Sequence, residues 1–127
     1  AHHPVEITAL LQTIRALYPD KQITTVFQPH LYTRTQTWAS EFAKSLDLAD
    51  RVFLLDIYPA REMPIEGITS ACILDQMVLD QKWRSTKEGL IDMLAQHNPP
   101  EIIVTVGAGD ISDLIPSMKH FLLTHWL

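Results

Sequence analysis

Apolar residues recur every three or four positions near the start of the chain, which is the spacing of one helix face. Pro4 suits the first turn of such a helix, and Tyr18 with Pro19 ends it. Residues 22–28 are rich in β-branched side chains and stop at Pro29, which has no N–H for a strand ladder. The pattern predicts a helix and then a strand, and the residues at helical spacing are Val5, Ile7, Leu10, Leu11, Ile14 and Leu17.

A second apolar stripe predicts a helix over residues 35–48, with its buried side formed by Trp38, Phe42, Ala43 and Leu46. Residues 51–57 are a short, nearly continuous apolar run, which is typical of a parallel strand covered on both faces. Residues 63–69 contain Pro64 and Gly67 and are predicted to form a loop.

Two serines are placed to cap the helices that come next. One helix is predicted from Ser70 to about Asp80, and another from Ser85 through Ala95. Both segments have polar residues around a few apolar ones, as solvent-facing helices do.

Residues 101–106 form the third clear strand. A turn over residues 107–109 then leads to a last helix, which Asp110 would cap. The apolar side of this helix consists of Ile111, Leu114, Ile115, Met118, Phe121 and Leu122.

Strands that alternate with helices of roughly 10–15 residues indicate crossovers between parallel strands. The predicted fold class is therefore α/β: a Rossmann-like three-layer sandwich with a mainly parallel sheet, forming one domain over residues 1–127. Such folds bind ligands at the carboxyl ends of their strands. Residues 28–34, 56–61 and 107–110 each follow a strand, so these three loops should share one edge.

Composition narrows the range of partners. Hydrophobic residues make up 46% and charged residues 20% of the chain, as in a soluble globular domain. The net charge of -5 gives no overall positive field to attract nucleic acid or an anionic membrane. No apolar run approaches the ~20 residues that cross a bilayer, and no signal peptide is recognised, which predicts a cytoplasmic location. The single Cys72 cannot form an internal disulfide, and no His/Cys spacing resembles a zinc site.

Two short motifs are weak on their own. Residues 107–110, Gly-Ala-Gly-Asp, could present backbone N–H groups to an anion, but they lack the remaining residues of a dinucleotide or P-loop fingerprint. A tight structural turn is the favoured interpretation. His2 and His3 are adjacent and cannot form a helical metal-binding pair, so a solvated loop or a tag remnant is the alternative to a binding role.

A third cluster is more informative. His30, Tyr32, Thr33 and Arg34 place an imidazole, hydroxyls and a guanidinium directly beyond a buried strand. Arg34 offers a planar fork that matches a carboxylate. A purely structural arginine near a helix N-terminus would oppose the helix dipole, which favours a ligand-binding role.

The loop after the next strand is also polar, with Asp56, Tyr58, Arg61, Glu62 and Glu66. Each of these side chains is a candidate for lining a substrate pocket. Taken individually, a solvated loop residue or a pairing of Arg61 with a carboxylate is the favoured interpretation.

The order and spacing of four motifs resemble the C-terminal domain of the Mur ligase family over essentially the whole chain. The motifs are Ala-His-His-Pro-Val-Glu from Ala1, Phe-Gln-Pro-His-Leu-Tyr-Thr-Arg-Thr from Phe27, Leu-Asp-Ile-Tyr-Pro-Ala from Leu55 with Pro-Ile-Glu-Gly from Pro64, and Val-Gly-Ala-Gly-Asp from Val106. The first two are specific. The resemblance implies an enzyme of three domains, in which this one closes over a UDP-sugar domain and a P-loop ATPase.

The resemblance further implies ATP-driven amide formation between L-alanine and UDP-N-acetylmuramate. With Mg²⁺ present, the lactyl carboxylate would take the γ-phosphoryl group of ATP, and the amine of L-alanine would attack the acyl phosphate. ATP and Mg²⁺ are expected to bind mainly to the central domain. Because this chain contains no P-loop sequence, the isolated domain is expected to be inactive.

By the same resemblance, Arg34 would hold the alanine carboxylate, with His30, Tyr32 and Thr33 in the same amino-acid loop. No residue of this domain is assigned as catalytic. Many relatives have a second arginine where this chain has Leu31, so Arg34 would act alone or with a neighbour. The residues expected to face the nucleotide or substrate are His2, His3, Asp56, Tyr58, Gly107 and Gly109.

Two other interpretations stay open. The branch of the family that recycles murein tripeptide shares the Ala-His-His-Pro element but has a different loop in place of residues 29–35. A non-catalytic α/β binding module would need its own start codon and a complete first strand. The chain begins without Met in what looks like a loop, so the domain is expected to be truncated at its N-terminal edge.

Overall fold

A parallel sheet forms the centre of the fold and confirms the predicted α/β class. The computed structural model describes residues 3–107 and 111–126. Within these ranges the strands pair in the order β3-β2-β1-β4, and every pair is parallel. They are β1 (Ile23–Gln28), β2 (Arg51–Leu55), β3 (Lys82–Ser85) and β4 (Ile102–Gly107).

Helices cover both faces of the sheet. The first face packs against α1 (Pro4–Leu17), α2 (Tyr32–Leu46) and α3 (Ala71–Leu74). The second packs against α4 (Leu90–Ala95), a 3₁₀ turn (Ile111–Leu114) and α5 (Ile115–Phe121), which a π-helical turn (Leu122–Trp126) follows.

Alternation along the strands divides the core into two layers. Phe27 and Leu54 point into the first layer, whereas Val26 and Phe53 point into the second. Since successive strand residues face opposite sides, a run with apolar residues at most positions must be covered twice. The nearly continuous apolar run of β2 therefore correctly predicted a strand covered on both faces, as in the three-layer sandwich expected from alternating strands and helices.

The predicted second helix exists but begins at Tyr32, three residues before its expected start at residue 35. Its first turn was missed because the cap is supplied by a residue distant in sequence, described below. Phe42 and Leu46 are buried as predicted, but Trp38 is 39% exposed and lies at the border of the stripe.

The helix predicted from Ser70 is wrong in length and in its cap. Ser70 makes no capping hydrogen bond, and α3 is a single turn. The carboxylate of Asp47 accepts the N–H groups of residues 78 and 79 at 3.0–3.1 Å. Because these amides are bound from outside, the segment continues to the sheet as extended chain.

The helix predicted from Ser85 through Ala95 ends where expected, but its start and its cap are wrong, since Ser85 is the last residue of β3. In this strand Trp83 stacks on Phe53 of β2 with ring centroids 5.0 Å apart. The next helix, α4, begins only at Leu90, and the Oγ1 of Thr86 accepts the N–H of Gly89 at 2.9 Å. An edge strand of four residues that includes Lys82 and Arg84 has too little apolar character to predict from pattern.

Candidate functional site

The first two candidate loops are joined where β1 and β2 end. His30 and Tyr58 form a parallel bridge that extends the ladder beyond both strands. The N–H of Leu31 donates to the Tyr58 carbonyl at 2.9 Å, and the N–H of Tyr58 donates to the Pro29 carbonyl at 2.8 Å. The rings of His30 and Tyr58 are stacked, with centroids 5.9 Å apart.

The third candidate loop starts at the same edge. Gly107 is the register partner of Gln28, the last residue of β1. The chain passes from β1 to β2 on one side of the sheet and returns to β4 on the other, so a topological switch point lies between β1 and β4. Open α/β sheets bind ligands at such points. The shared edge is thus confirmed for the described residues, whereas His2, Gly109 and Asp110 lie outside them.

Gly107 is required by close approach of backbone to backbone. Its φ is +138°, and an ideal Cβ there would lie 2.5 Å from the carbonyl oxygen of Gln28. No side chain fits this position without displacing β1. This supports the tight-turn interpretation for the start of the motif at residues 107–110.

The backbone between the first strand and α2 is strained. Leu31, at the cap position of α2, has φ 71° and ψ 140°. A positive φ is uncommon outside glycine and persists only where the surroundings fix it. Here the Leu31 carbonyl accepts the Thr35 N–H at 3.1 Å and the Thr35 hydroxyl at 2.8 Å, while its own N–H is bound to Tyr58.

Glu62 caps α2 from the neighbouring loop. Its Oε1 accepts the N–H of Tyr32 at 2.6 Å and that of Thr33 at 3.2 Å, and its Oε2 accepts the Thr33 hydroxyl. The Thr33 hydroxyl contributes most to holding the pKa of Glu62 below its ordinary value. The sequence favoured a solvated loop residue or a pair with Arg61 at this position, whereas the Glu62 carboxylate binds Tyr32 and Thr33. No local motif indicates this contact, because its partners are 29 and 30 residues away.

Arg34 is the third residue of α2 and is partly exposed. Within the described residues its guanidinium makes no hydrogen bond or ion pair. The expected conflict between this cation and the helix dipole is relieved, since the Glu62 carboxylate lies at the same helix end. Arg34 is therefore available to an anionic ligand.

Asp56 has a partner that the sequence did not indicate. Its Oδ1 lies 3.3 Å from an Arg84 nitrogen, and both side chains are about half exposed. Together with Tyr32 and Ser70 this pair lines a cleft of about 340 Å³. The role of Arg84 was missed because β3 itself was not predicted.

Two buried polar atoms near this edge lack partners among the described residues: Ser70 Oγ and Gln28 Oε1. Gln28 contributes to a second, smaller cleft of about 210 Å³ together with Asp56, Tyr58, Lys87 and Glu88. Buried polar groups are normally hydrogen-bonded, so unpaired ones are common where ligands bind. Their position agrees with a binding function for this edge of the sheet.

His3 caps the N-terminus of α1. Its Nδ1 accepts the Val5 N–H at 3.2 Å, and its own backbone N–H donates to Glu6 Oε1 at 3.2 Å, a reciprocal capping box. The imidazole also contacts Trp38 of α2, with centroids 5.5 Å apart. Trp38 is one helical turn beyond Arg34, so His3 lies along the same face of α2 as Arg34.

Neither a metal centre nor a membrane span is found in the part of the chain that the structure describes. No group of three His, Cys, Asp or Glu side chains is arranged to hold a metal ion within residues 3–107 and 111–126. No helix in these ranges is long and apolar enough to cross a membrane.

The fold is thus a parallel α/β domain, in which the Arg34 guanidinium has no partner among the described residues. The chain matches the family model "Mur ligase, glutamate ligase domain" over residues 1–109. It belongs to the Mur ligase family.

Individual relatives point to one branch of that family. The UDP-N-acetylmuramate–L-alanine ligase of Flavobacterium johnsoniae is 51% identical over 122 residues, which is 96% of this chain. The protein of the same name from Porphyromonas gingivalis is 45% identical over 124 residues, or 98% of this chain. In both cases the chain spans 27% of the relative's length.

Solved structures show the same fold. The UDP-N-acetylmuramate–alanine ligase of Thermotoga maritima superposes with a TM-score of 0.68 at 28% identity, over 99% of this chain and 25% of that one. A murein peptide ligase of Psychrobacter arcticus gives a TM-score of 0.71 at 16% identity, over 98% of this chain and 26% of that one. The second likeness supports the fold alone.

Proposed function

We propose that this chain is the amino-acid-binding domain of an ATP-dependent ligase that joins L-alanine to UDP-N-acetylmuramate in peptidoglycan precursor synthesis. The observation that carries the proposal is the uncommitted guanidinium of Arg34 at the edge where β1, β2 and β4 end. The names of the relatives reported above, which are identical to this chain at about half of the aligned positions, support L-alanine as the amino acid.

In this proposal the chain positions L-alanine for attack on an activated carboxylate. ATP supplies the phosphoryl group that converts the muramoyl carboxylate to an acyl phosphate, and Mg²⁺ neutralises phosphate charge. Both are assigned mainly to the central ATPase domain expected in such an enzyme, since this chain contains no P-loop sequence. Arg34 holds the alanine carboxylate, which leaves the amine free to attack and gives it a high effective concentration.

The neighbours of Arg34 divide into two groups in the proposed site. The Tyr32 N–H, the Thr33 N–H and the Thr33 hydroxyl are bound to Glu62, so these groups support the loop. Contact with the amino acid itself is assigned to the imidazole of His30 and the phenol of Tyr32. Asp56, Tyr58, Gly107, Gly109, His2 and His3 remain candidates for facing the nucleotide or the sugar substrate.

Closure of this domain over the others would exclude water from an acyl phosphate that hydrolysis destroys. The isolated chain is expected to be inactive, because it has no P-loop sequence to bind ATP. We assign the complete enzyme to the cytoplasm, where nucleotide-linked precursors are available.

The test is the amino-acid specificity of the full-length enzyme that carries this domain. Amide formation with UDP-N-acetylmuramate is measured for L-alanine and, separately, for murein tripeptide. The proposal predicts ATP-dependent product with L-alanine and at least about a hundredfold lower kcat/KM with the tripeptide. Preference for the tripeptide would assign the chain to the recycling branch of the family instead.

A further inference from the structure

The start of α2 is bound by a carboxylate of the protein itself, that of Glu62. Glu62 accepts three hydrogen bonds from the first two residues of α2, although it lies in the loop after β2. The first four N–H groups of any helix lack partners inside the helix. Two of these groups in α2 are bound by a single distant side chain.

The usual local cap is missing in this helix. Leu31 holds the cap position, where Ser, Thr, Asp or Asn would normally accept an N–H, and it makes no side-chain cap. Its positive φ is fixed by the bonds to Tyr58 and Thr35. The first turn of α2, which contains Arg34, therefore depends on Glu62 for its end group.

Glu62 is itself held by a short turn. The bridge of Tyr58 to His30 is followed at once by a turn in which the Glu62 N–H donates to the Pro59 carbonyl at 2.9 Å. Ala60 in this turn has φ 53°, a left-handed conformation. The bridge holds Tyr58 beside His30, and the turn then brings the Glu62 carboxylate back to the start of α2.

The charge of Glu62 also has a consequence for ligand binding. A helix N-terminus attracts anions, and an amino-acid carboxylate would otherwise compete for the free N–H groups of α2. With Glu62 bound to the first two of these N–H groups, the guanidinium of Arg34 is the charged donor of this turn. An incoming carboxylate is thereby directed to the side chain and away from the helix end.

We infer that Glu62 is a positioning residue that fixes the orientation of Arg34 and so sets the affinity for the amino acid. The inference rests on the proposed function, because it takes Arg34 as the group that binds the carboxylate of L-alanine. Glu62 itself does not touch the substrate.

The experiment uses the full-length ligase with three single variants: Glu62→Gln, Thr33→Val and Arg34→Ala. Glu62→Gln keeps the shape but removes the charge and one strong acceptor, and we expect it to raise the KM for L-alanine about tenfold. The kcat and the KM for ATP should stay within about twofold. Thr33→Val removes only the hydroxyl donor and should raise the KM for L-alanine by a smaller factor.

Glu41→Gln is the matched control, since it removes the same charge from an exposed position further along α2. Melting temperature is measured for every variant, and amide exchange is measured for Tyr32 and Thr33. Faster exchange of these two amides in Glu62→Gln, together with the selective rise in KM, supports the inference. If Glu62→Gln does not fold, the selective effect of Thr33→Val decides.

The possible failures are distinguishable. If Arg34→Ala weakens L-alanine but Glu62→Gln behaves like Glu41→Gln, the positioning role is wrong and the proposed function stands. If Glu62→Gln lowers stability and depresses every kinetic constant alike, Glu62 is only structural and the inference is overturned. If Arg34→Ala leaves L-alanine unaffected, the role of Arg34 fails, and the inference built on it fails as well.

Discussion

A Cβ atom on Gly107 would lie 2.5 Å from the carbonyl oxygen of Gln28, closer than real Cβ contacts come. Gly107→Ala should therefore force β4 away from β1 where the two strands reach the site. Backbone conformations of this kind alone cost of order 1–3 kcal/mol. We expect a loss of unfolding free energy at the upper end of that range or beyond, measured by urea denaturation.

Gly67→Ala is the control for this prediction. Gly67 also has a positive φ, +81°, but nothing lies within 4 Å of the position of its Cβ. Gly67→Ala therefore measures the free-energy cost of a positive φ without the steric clash. Equal losses for the two variants would show that the contact with Gln28 relaxes freely.

Arg34→Ala tests the proposed carboxylate contact in the full-length enzyme. Truncating one partner of a desolvated charge pair costs ~2–5 kcal/mol, so kcat/KM for L-alanine should fall at least about thirtyfold. The apparent affinity for ATP should change little. Arg34→Lys should restore little activity, because a point charge does not reproduce the planar fork. Loss of ATP affinity with intact use of L-alanine would reassign Arg34 to the nucleotide.

At position 31, a glycine variant should be more stable than an alanine variant, which is the reverse of the usual order. The φ of 71° at Leu31 penalises any residue with a Cβ, whereas glycine adopts this region freely. We expect Leu31→Gly to be more stable than Leu31→Ala by about 1 kcal/mol, although glycine normally destabilises relative to alanine. Urea denaturation of both variants decides the sign. Greater stability of the alanine variant would mean that the loop relaxes out of its left-handed conformation.

Glu62 predicts a specific dependence of stability on acid. Hydrogen bonds from Thr33 and Tyr32 lower its pKa in the folded state, so ionised Glu62 stabilises the fold above its unfolded pKa of ~4.3. That contribution is lost as the pH falls through the lower folded pKa. The stability difference between the wild type and Glu62→Gln should be constant near neutral pH and shrink below about pH 4. A difference that persists unchanged into this acid range would contradict the assignment.

Pattern in the sequence predicted those features that depend on neighbouring residues. The β-branched residues of β1 and the apolar run of β2 indicate strands, and parallel order then brings their following loops to one edge. The same reasoning selected Arg34 as a candidate for ligand binding, because a polar loop beyond a buried strand has few structural uses, and that role stays a prediction. It assigned Trp38 to the core, although this residue lies at the border of its helix face and is partly exposed.

Features that depend on contacts distant in sequence were missed. β3 is specified by pairing with β2, and its short polar sequence resembles a loop or a helix start. The helix expected from Ser70 stops early because Asp47, more than 20 residues before it, binds the amides that would continue beyond α3. Glu62 looked like an exposed loop residue because its partners belong to a different element.

The parallel bridge between His30 and Tyr58 joins the loop after β1 to the loop after β2, so the two loops form one structural unit. Residues 28–34 and 56–62 share backbone bonds at one end and the Glu62 carboxylate at the other. A transplant of either segment alone into a ligase with another amino-acid preference would separate Glu62 from the helix it caps. If the proposed amino-acid site is to be transferred between such enzymes, in the laboratory or in evolution, both segments must therefore be exchanged together.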